Sequence, residues 1–276
     1  MPNIKEIQSS LIISVYKNIS FLDAVLKSLS GQTFQNFEVI ISEDGESKEM
    51  RDFIPQLKMP FPVRHLTQED LGWRKNRALN RAILEAKSDW LVFIDGDCVL
   101  HPRFMEFHWK MADEKSILAG KRIKLDPETS QLLISGNLKP EEMNLRILAN
   151  FSKIKKQGGA FVEEGLFINP SGILGFLTKV RKMRHLKGCN MSFHRKAIEA
   201  INGFDEDYEK PAVGEDADLL WRFQGLGYEL KSVRNLAVQY HLYHKESWTD
   251  QEENLQIMKS NQQANRFICK NGLIKR

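Results

Sequence analysis

Residues Trp90-Leu91-Val92-Phe93-Ile94 form the most hydrophobic short run in the chain, and it breaks directly into Asp95-Gly96-Asp97. An apolar run of strand length that ends in two carboxylates reads as a buried strand whose carboxyl end meets a polar edge. Two earlier runs have the same form. Ser10-Leu11-Ile12-Ile13-Ser14-Val15-Tyr16 is apolar and β-branched, and Phe37-Glu38-Val39-Ile40-Ile41-Ser42 ends in Glu43-Asp44-Gly45. Pro62-Val63-Arg64-His65-Leu66 reads as a further strand. Between them the period changes. Phe21, Leu22, Val25, Leu26 and Leu29 recur at helical spacing until Gly31, opened by Ser20 with Asp23 three residues on, in the manner of a capping box. Ala78, Leu79, Ala82 and Ile83 form the apolar face of a second helix from Arg74 to Ala86. Strand–helix alternation of this kind predicts an α/β fold with a mostly parallel central sheet flanked by helices. Tyr16, Asp44, Asp95 and Asp97 then fall at the carboxyl ends of the strands, where open α/β sheets bind ligands.

The second half is less regular. Gln157-Gly158-Gly159 and Asn169-Pro170-Ser171-Gly172 are loop signals, and a basic run follows from Lys179 to Lys187. From Ile173 to Leu186 apolar residues (Leu174, Phe176, Leu177, Val180, Met183) alternate with Lys179, Arg181, Lys182 and Arg184. That pattern reads either as a basic amphipathic helix able to lie on an anionic membrane or as a solvated helix or lid over the site. A helix is predicted from about Asp216 to Gln224 and a strand from Leu236 to Tyr240. No Pro- or Ser-rich linker and no repeat divides the 276 residues, so they read as one domain.

Composition narrows the partners. Hydrophobic residues at 42% and charged residues at 28% exclude disordered and collagen-like chains. A net charge of +4, spread evenly, does not suggest nucleic acid. No run reaches the roughly 18–20 apolar residues of a membrane span, and Met1–Glu6 has no apolar stretch behind a basic start. The reading expects a cytoplasmic protein, or one peripheral at the inner face of the membrane. Cys98, Cys189 and Cys269, odd in number and far apart, read as reduced thiols.

Carboxylates as close as Asp95 and Asp97 repel unless a cation or hydrogen bonds compensate. Oxygen ligands at a strand end suit Mg²⁺ or Mn²⁺ bridging carboxylate to diphosphate, although Asp-Gly is also a common turn dipeptide. Asp44 shares that sheet edge if the strands are parallel neighbours. The chain has neither a P-loop nor a Gly-x-Gly-x-x-Gly fingerprint. His241 and His244 lie beyond the last predicted strand, and no third soft ligand is spaced to complete a zinc site.

Taken in order, Leu29-Ser30-Gly31-Gln32-Thr33-Phe34, Ser42-Glu43-Asp44-Gly45, Arg77-Ala78-Leu79-Asn80-Arg81-Ala82-Ile83 and Phe93-Ile94-Asp95-Gly96-Asp97 resemble the nucleotide-sugar-binding half of a family 2 glycosyltransferase of the GT-A fold. Gly188-Cys189-Asn190-Met191-Ser192-Phe193, Asn202-Gly203-Phe204-Asp205-Glu206 and Gly214-Glu215-Asp216-Ala217-Asp218-Leu219-Leu220-Trp221-Arg222 are similar to the C-terminal module of β-1,4-galactosyltransferases and bacterial chondroitin-polymerase-like enzymes. The resemblance covers about residues 8–125 and 185–250. It implies a single GT-A domain over 1–276. Residues 1–125 would form the nucleotide-sugar-binding half, 126–187 a variable insertion or lid, and 188–276 the acceptor-binding and catalytic half.

The resemblance assigns roles residue by residue. Asp95 and Asp97 match the Asp-x-Asp metal motif, and Asp44 the nucleotide-contacting aspartate. Asp70 and Arg74 would contact base or phosphate, and Asn190 the sugar. Glu215 would hydrogen-bond the acceptor and Asp216 would be the catalytic base, beside the capping role acidic residues play at a helix start. Asp218 is expected to face solvent or form an ion pair. A late histidine would complete the metal site, His244 in preference to His241.

The function implied is metal-dependent, inverting transfer of a sugar from a nucleotide-diphosphate donor, UDP-linked by preference. The acceptor would be a saccharide or lipid-linked oligosaccharide in surface polysaccharide synthesis, with Mn²⁺ or Mg²⁺ as cofactor and no nucleic acid partner. Two rivals stand beside it. A sugar-nucleotide nucleotidyltransferase would need a Gly-rich basic loop after the first strand, and Val15-Tyr16-Lys17-Asn18-Ile19 has no glycine. A non-catalytic sugar-nucleotide-binding subunit would have no need to keep both acidic pairs.

Overall fold

A computed structural model of the chain describes residues 7–211, 215–245 and 250–275. Its strands are β1 (Ser9–Val15), β2 (Phe37–Glu43), β3 (Val63–Leu66), β4 (Trp90–Asp95), β5 (Cys98–Leu100), β6 (Ser116–Ala119), β7 (Ile123–Lys124), β8 (Met191–His194), β9 (Glu229–Ser232) and β10 (Gln239–His241). A seven-stranded sheet runs β3-β2-β1-β4-β8-β6-β9, and a three-stranded sheet runs β5-β10-β7. The first four strands of the large sheet are parallel. β8 is antiparallel to both β4 and β6, and β9 rejoins parallel to β6. The predicted mostly parallel α/β sheet is therefore the observed one, with one reversed strand in its middle.

Alternation along the strands explains the two-layer packing. Leu11, Ile13, Val39, Ile41, Val92 and Ile94 point to one face, where Leu22, Val25, Leu26 and Leu29 of the Ile19–Ser30 helix cover them. Ile12, Ile40, Leu91 and Phe93 point to the other, under Leu79, Ala82 and Ile83 of the Lys75–Glu85 helix. Parallel strands need both faces covered, which is why these runs are almost wholly apolar. The register pairs Ser14 with Ser42 on one side and Asp95 on the other, so three strands end level and deliver Asp44, Asp95 and Asp97 to one edge.

Three local expectations are corrected. The first helix is capped by Asn18, whose side chain accepts from the Phe21 N–H at 3.1 Å. Ser20 donates its hydroxyl to that same Asn18 oxygen and Asp23 pairs with Lys27, so neither serves as a capping-box partner. The last predicted strand is shifted: Leu236 closes a turn onto Val233, and the strand is Gln239–His241. Over 173–186 only Phe176–Val180 is helical. Met183 and Leu186 turn inward to the second core, and Arg181 is drawn to buried Glu164, so no continuous amphipathic helix forms. The preceding segment is anchored too, with Leu133, Met143, Ile147 and Ile154 in the first core. No helix among the described residues is long and apolar enough to cross a membrane.

Two interior histidines make stability pH-dependent. Burial lowers His108 to about 3, against a weaker opposing hydrogen bond to the Asn190 amide oxygen. Burial and the Arg103 charge lower His101 to about 4. Above pH ~6.5, the ordinary histidine pKa, both states are neutral. As pH falls from there toward 3, the unfolded chain binds protons that the folded protein excludes, and stability is lost. At pH 5 the loss from His108 is about 2 kcal/mol. In urea unfolding, the wild type is expected to lose about that much more than His108→Gln between pH 7 and pH 5. Equal losses would contradict the buried neutral imidazole.

Candidate active site

The level strand ends open into a cavity of about 700 Å³ whose wall includes Ser14, Tyr16, Asp44, Trp73, Lys75, Asp95, Asp97 and His244. Asp44 is buried, with one oxygen accepting from Gln68 Nε2 and the other from the Arg74 N–H, both at 2.7 Å. Burial pushes this carboxyl up, and those two donors oppose it. Asp44 thus pins the 68–74 loop against the sheet edge while still facing the cavity. Asp70 is not among the lining residues and lies behind Tyr16, with Lys17 Nζ at 2.7 Å and the Tyr16 hydroxyl donating at 3.3 Å. The Lys17 hydrogen bond holds Asp70 below the usual carboxylate range. Arg74 turns its guanidinium to Glu209 at 2.9 Å and lines a separate small cavity, so its backbone rather than its side chain serves the main one.

Gly96 allows the two acidic residues to sit so close to β1. Its N–H donates to Ser14 O at 2.8 Å, and a Cβ there would lie 2.6 Å from Val15 Cγ1. The flanking carboxylates then diverge. Asp95 is held by Lys75 at 3.0 Å and Arg122 at 3.4 Å. Asp97 faces His241 Nε2 at 3.3 Å and His244 Nε2 at 3.2 Å, and accepts from Cys98 Sγ at 3.1 Å. The small sheet makes this possible: β10 runs antiparallel to β5 with His241 opposite Cys98, and Leu242 N–H bonds to Asp97 O at 2.9 Å. Burial works to raise Asp97, but the bonds from the two histidines outweigh it and hold the carboxyl well below its ordinary range.

Asp97, His241 and His244 each offer a ligand atom within 4.8 Å of the others. One carboxylate oxygen and two imidazole nitrogens make a mixed donor set that suits a divalent transition metal better than Mg²⁺, which takes oxygen ligands. Both histidines join the cluster, where the sequence reading preferred His244 over His241. Asp95 stands outside it, engaged by two cations.

Those two cations were missed from sequence. Lys75 opens the Lys75–Glu85 helix and Arg122 immediately precedes β7, and neither sits in a recognisable motif. The only signal was proximity in the chain to Asp70–Arg74 and to Gly120.

Asp216 lies in the first turn of the Glu215–Gly225 helix and is partly buried. Burial raises its carboxyl and nearby Asp95 adds to this, while Lys75, Lys187 and the Gly188 N–H work against it. A carboxylate raised above its ordinary range is a better proton acceptor than a free aspartate, which suits a general base. The Glu215 side chain lies outside the described residues. Asp218 is fully buried and paired with Arg222 at 2.6 Å, whose guanidinium also donates to Ile201 O and Gly203 O. It fixes the helix rather than lining the cavity.

Asn190 is a correction. It is 0% exposed, its amide N–H groups go to Lys121 O and Ala237 O at 3.1 Å, and its oxygen lies 3.1 Å from His108 Nε2. Every polar atom is engaged internally, so the side chain ties β8 to its neighbours and does not face the cavity.

Comparison with known proteins gives two family-model matches. "Glycosyl transferase family 2" matches residues 10–201 and "N-terminal domain of galactosyltransferase" matches residues 177–245. Among curated relatives, the hyaluronan synthase of Pasteurella multocida is 22% identical over 268 residues, covering 91% of this chain and 26% of that protein. The chondroitin synthase of Escherichia coli is 23% identical over 241 residues, covering 84% of this chain and 34% of that protein. The chain thus spans between about a quarter and a third of the length of these relatives. Among solved structures, S. aureus TarS 1-349 in complex with UDP-GlcNAc superposes with a TM-score of 0.60 at 13% identity, over 92% of this chain and 65% of that one. The mannosyltransferase PcManGT from Pyrobaculum calidifontis, in complex with GDP-Man and Mn2+, superposes with a TM-score of 0.53 at 15% identity, over 88% of this chain and 59% of that one.

Proposed function

The chain belongs to glycosyltransferase family 2 and has the GT-A fold, and from that premise we propose that it transfers a sugar, with inversion, from a UDP-linked donor to a saccharide or lipid-linked acceptor in a metal-dependent reaction. The observation that carries this reading is the Asp97–His241–His244 cluster, whose Asp97 and His244 line the strand-end cavity beside Lys75, the residue whose charge acts on Asp216. Asp44 and the 68–74 loop it pins would bound the nucleoside. Lys75 and Arg122 bring positive charge to the same edge, where a diphosphate would lie.

Asp97, His241 and His244 would hold Mn²⁺, which when bound supplies the charge that stabilises the leaving diphosphate. The chain's own groups do the rest. Asp216 takes the proton from the acceptor hydroxyl as that oxygen attacks the anomeric carbon, and the bond to diphosphate breaks on the opposite face. Attack from the opposite face inverts the anomeric centre. Glu215 precedes the base on the same helix turn and is assigned to the acceptor. The segment 126–187 is assigned as the insertion bordering the acceptor side. The UDP-GlcNAc held by TarS and the two synthases among the relatives support a UDP-linked donor and a polysaccharide product.

The test is turnover. Purified protein given UDP-hexoses, UDP-N-acetylhexosamines or UDP-uronic acids with Mn²⁺ should release UDP with at least one donor, and EDTA should stop it. Proton NMR of the product should show a β-linkage from an α-linked donor. Release that persists in EDTA would overturn metal dependence, and an α-linked product would overturn inversion.

A further inference from the structure

A second cavity, of about 750 Å³, is lined by Lys121, Arg181, Lys182, Arg184, Lys187 and Arg234. Its charge is not balanced. Buried Glu164 lies 2.9 Å from Arg181 and 3.7 Å from Lys121 and also pairs with Arg234, so one carboxylate organises three cations. Lys182, Arg184 and Lys187 form no ion pair among the described residues, and Glu163 is the one acidic residue among those lining the wall, with Glu164 buried behind it. Six cations thus face two carboxylates around a concavity, an arrangement that concentrates anions.

The cavity adjoins the catalytic carboxylates on two sides. Lys187 is followed by Gly188, whose N–H bonds to Asp216. Lys121 is followed by Arg122, which pairs with Asp95. Each wall therefore stands one residue along the chain from a group that touches a site carboxylate. Beside Lys121 stands Phe161, 5.8 Å from ring centroid to Nζ and 52% exposed. Its backbone is left-handed at φ 54°, a costly conformation for a bulky residue and one that collects at functional sites. An exposed aromatic ring beside a basic concavity offers a stacking face for a pyranose next to its anionic group.

Resting on the transferase reading, we infer that this cavity is the acceptor subsite for an acidic saccharide, whose carboxylates lie on Lys182, Arg184 and Lys187 while its terminal hydroxyl reaches Asp216. A concave wall suits a chain of sugar rings and not the flat face of a bilayer.

The experiment is calorimetric titration with an unsulfated hexasaccharide of alternating uronic acid and N-acetylhexosamine, and with its carboxyl-reduced form. Both are run on wild type and on Lys182→Ser/Arg184→Ser, which removes two exposed, unpaired charges. The acidic hexasaccharide should bind the wild type, more weakly at high salt, and bind the variant about tenfold less tightly. The reduced form should bind both poorly, and Mn²⁺–UDP affinity should be the same in both. Equal hexasaccharide affinity for wild type and variant, or equal affinity for the reduced form, would overturn the inference. So would sedimentation of the wild type with phosphatidylglycerol vesicles, lost in the variant, in the absence of hexasaccharide binding. A wild type that binds UDP but no hexasaccharide overturns this inference alone, and one that binds neither takes the transferase reading with it.

Discussion

Asp216→Asn is expected to lower kcat by about 10²–10⁴-fold, the contribution of a positioned general base, while Mn²⁺–UDP affinity stays within about twofold of wild type. The substitution keeps the shape of the side chain and its place in the first helical turn, and removes only the capacity to take a proton. Because burial and Asp95 raise this carboxyl, the deprotonated, active form should be lost on acidification at a pH above the ordinary carboxylate range. The acid limb of the wild-type kcat profile should therefore lie above pH ~4, the usual aspartate value, and vanish in the variant. Undiminished turnover in Asp216→Asn would remove the assignment. Asp218, two residues on, is the internal contrast, since its carboxylate is committed to Arg222 inside the core.

Asp97→Ala is expected to weaken metal-dependent nucleotide binding by at least about 100-fold, more than the loss of an outer-shell partner. Asp97 is held deprotonated by the imidazoles that face it, so it is ready as a ligand across the physiological range. Its removal leaves two histidines and no anionic donor between them. Asp95 cannot substitute without releasing Lys75 and Arg122. The histidines must be neutral to ligate, so wild-type metal affinity should also fall on acidification.

The parallel half of the fold was legible because its strands are buried on both faces and end in charge. Leu11–Val15, Val39–Ser42 and Leu91–Asp95 are short, nearly all apolar and rich in branched residues, as strands covered on both faces must be. The reversed strand β8 was not legible as reversed, because Met191–His194 carries no mark of direction. The 173–186 segment misled because alternating apolar and basic residues look alike whether the apolar ones face lipid or, as with Met183 and Leu186, the core. At the site, Asp44, Asp95, Asp97 and His244 line one cavity, and His241 meets Asp97 and His244 behind it. The division of labour between Asp95 and Asp97 could not be read, since it depends on Lys75 and Arg122 arriving from distant elements. Asn190 misled for a related reason: a motif position says where a residue lies, and only the hydrogen bonds to Lys121 O, Ala237 O and His108 say that its amide is already spent.

The most direct test of the account is a calorimetric titration of UDP into wild type and Asp97→Ala, each with Mn²⁺ and then with EDTA. The account predicts binding to wild type with Mn²⁺, its loss in EDTA, and no comparable binding to Asp97→Ala under either condition. UDP binding of equal strength in all four titrations would contradict a metal-held diphosphate at this strand-end cavity.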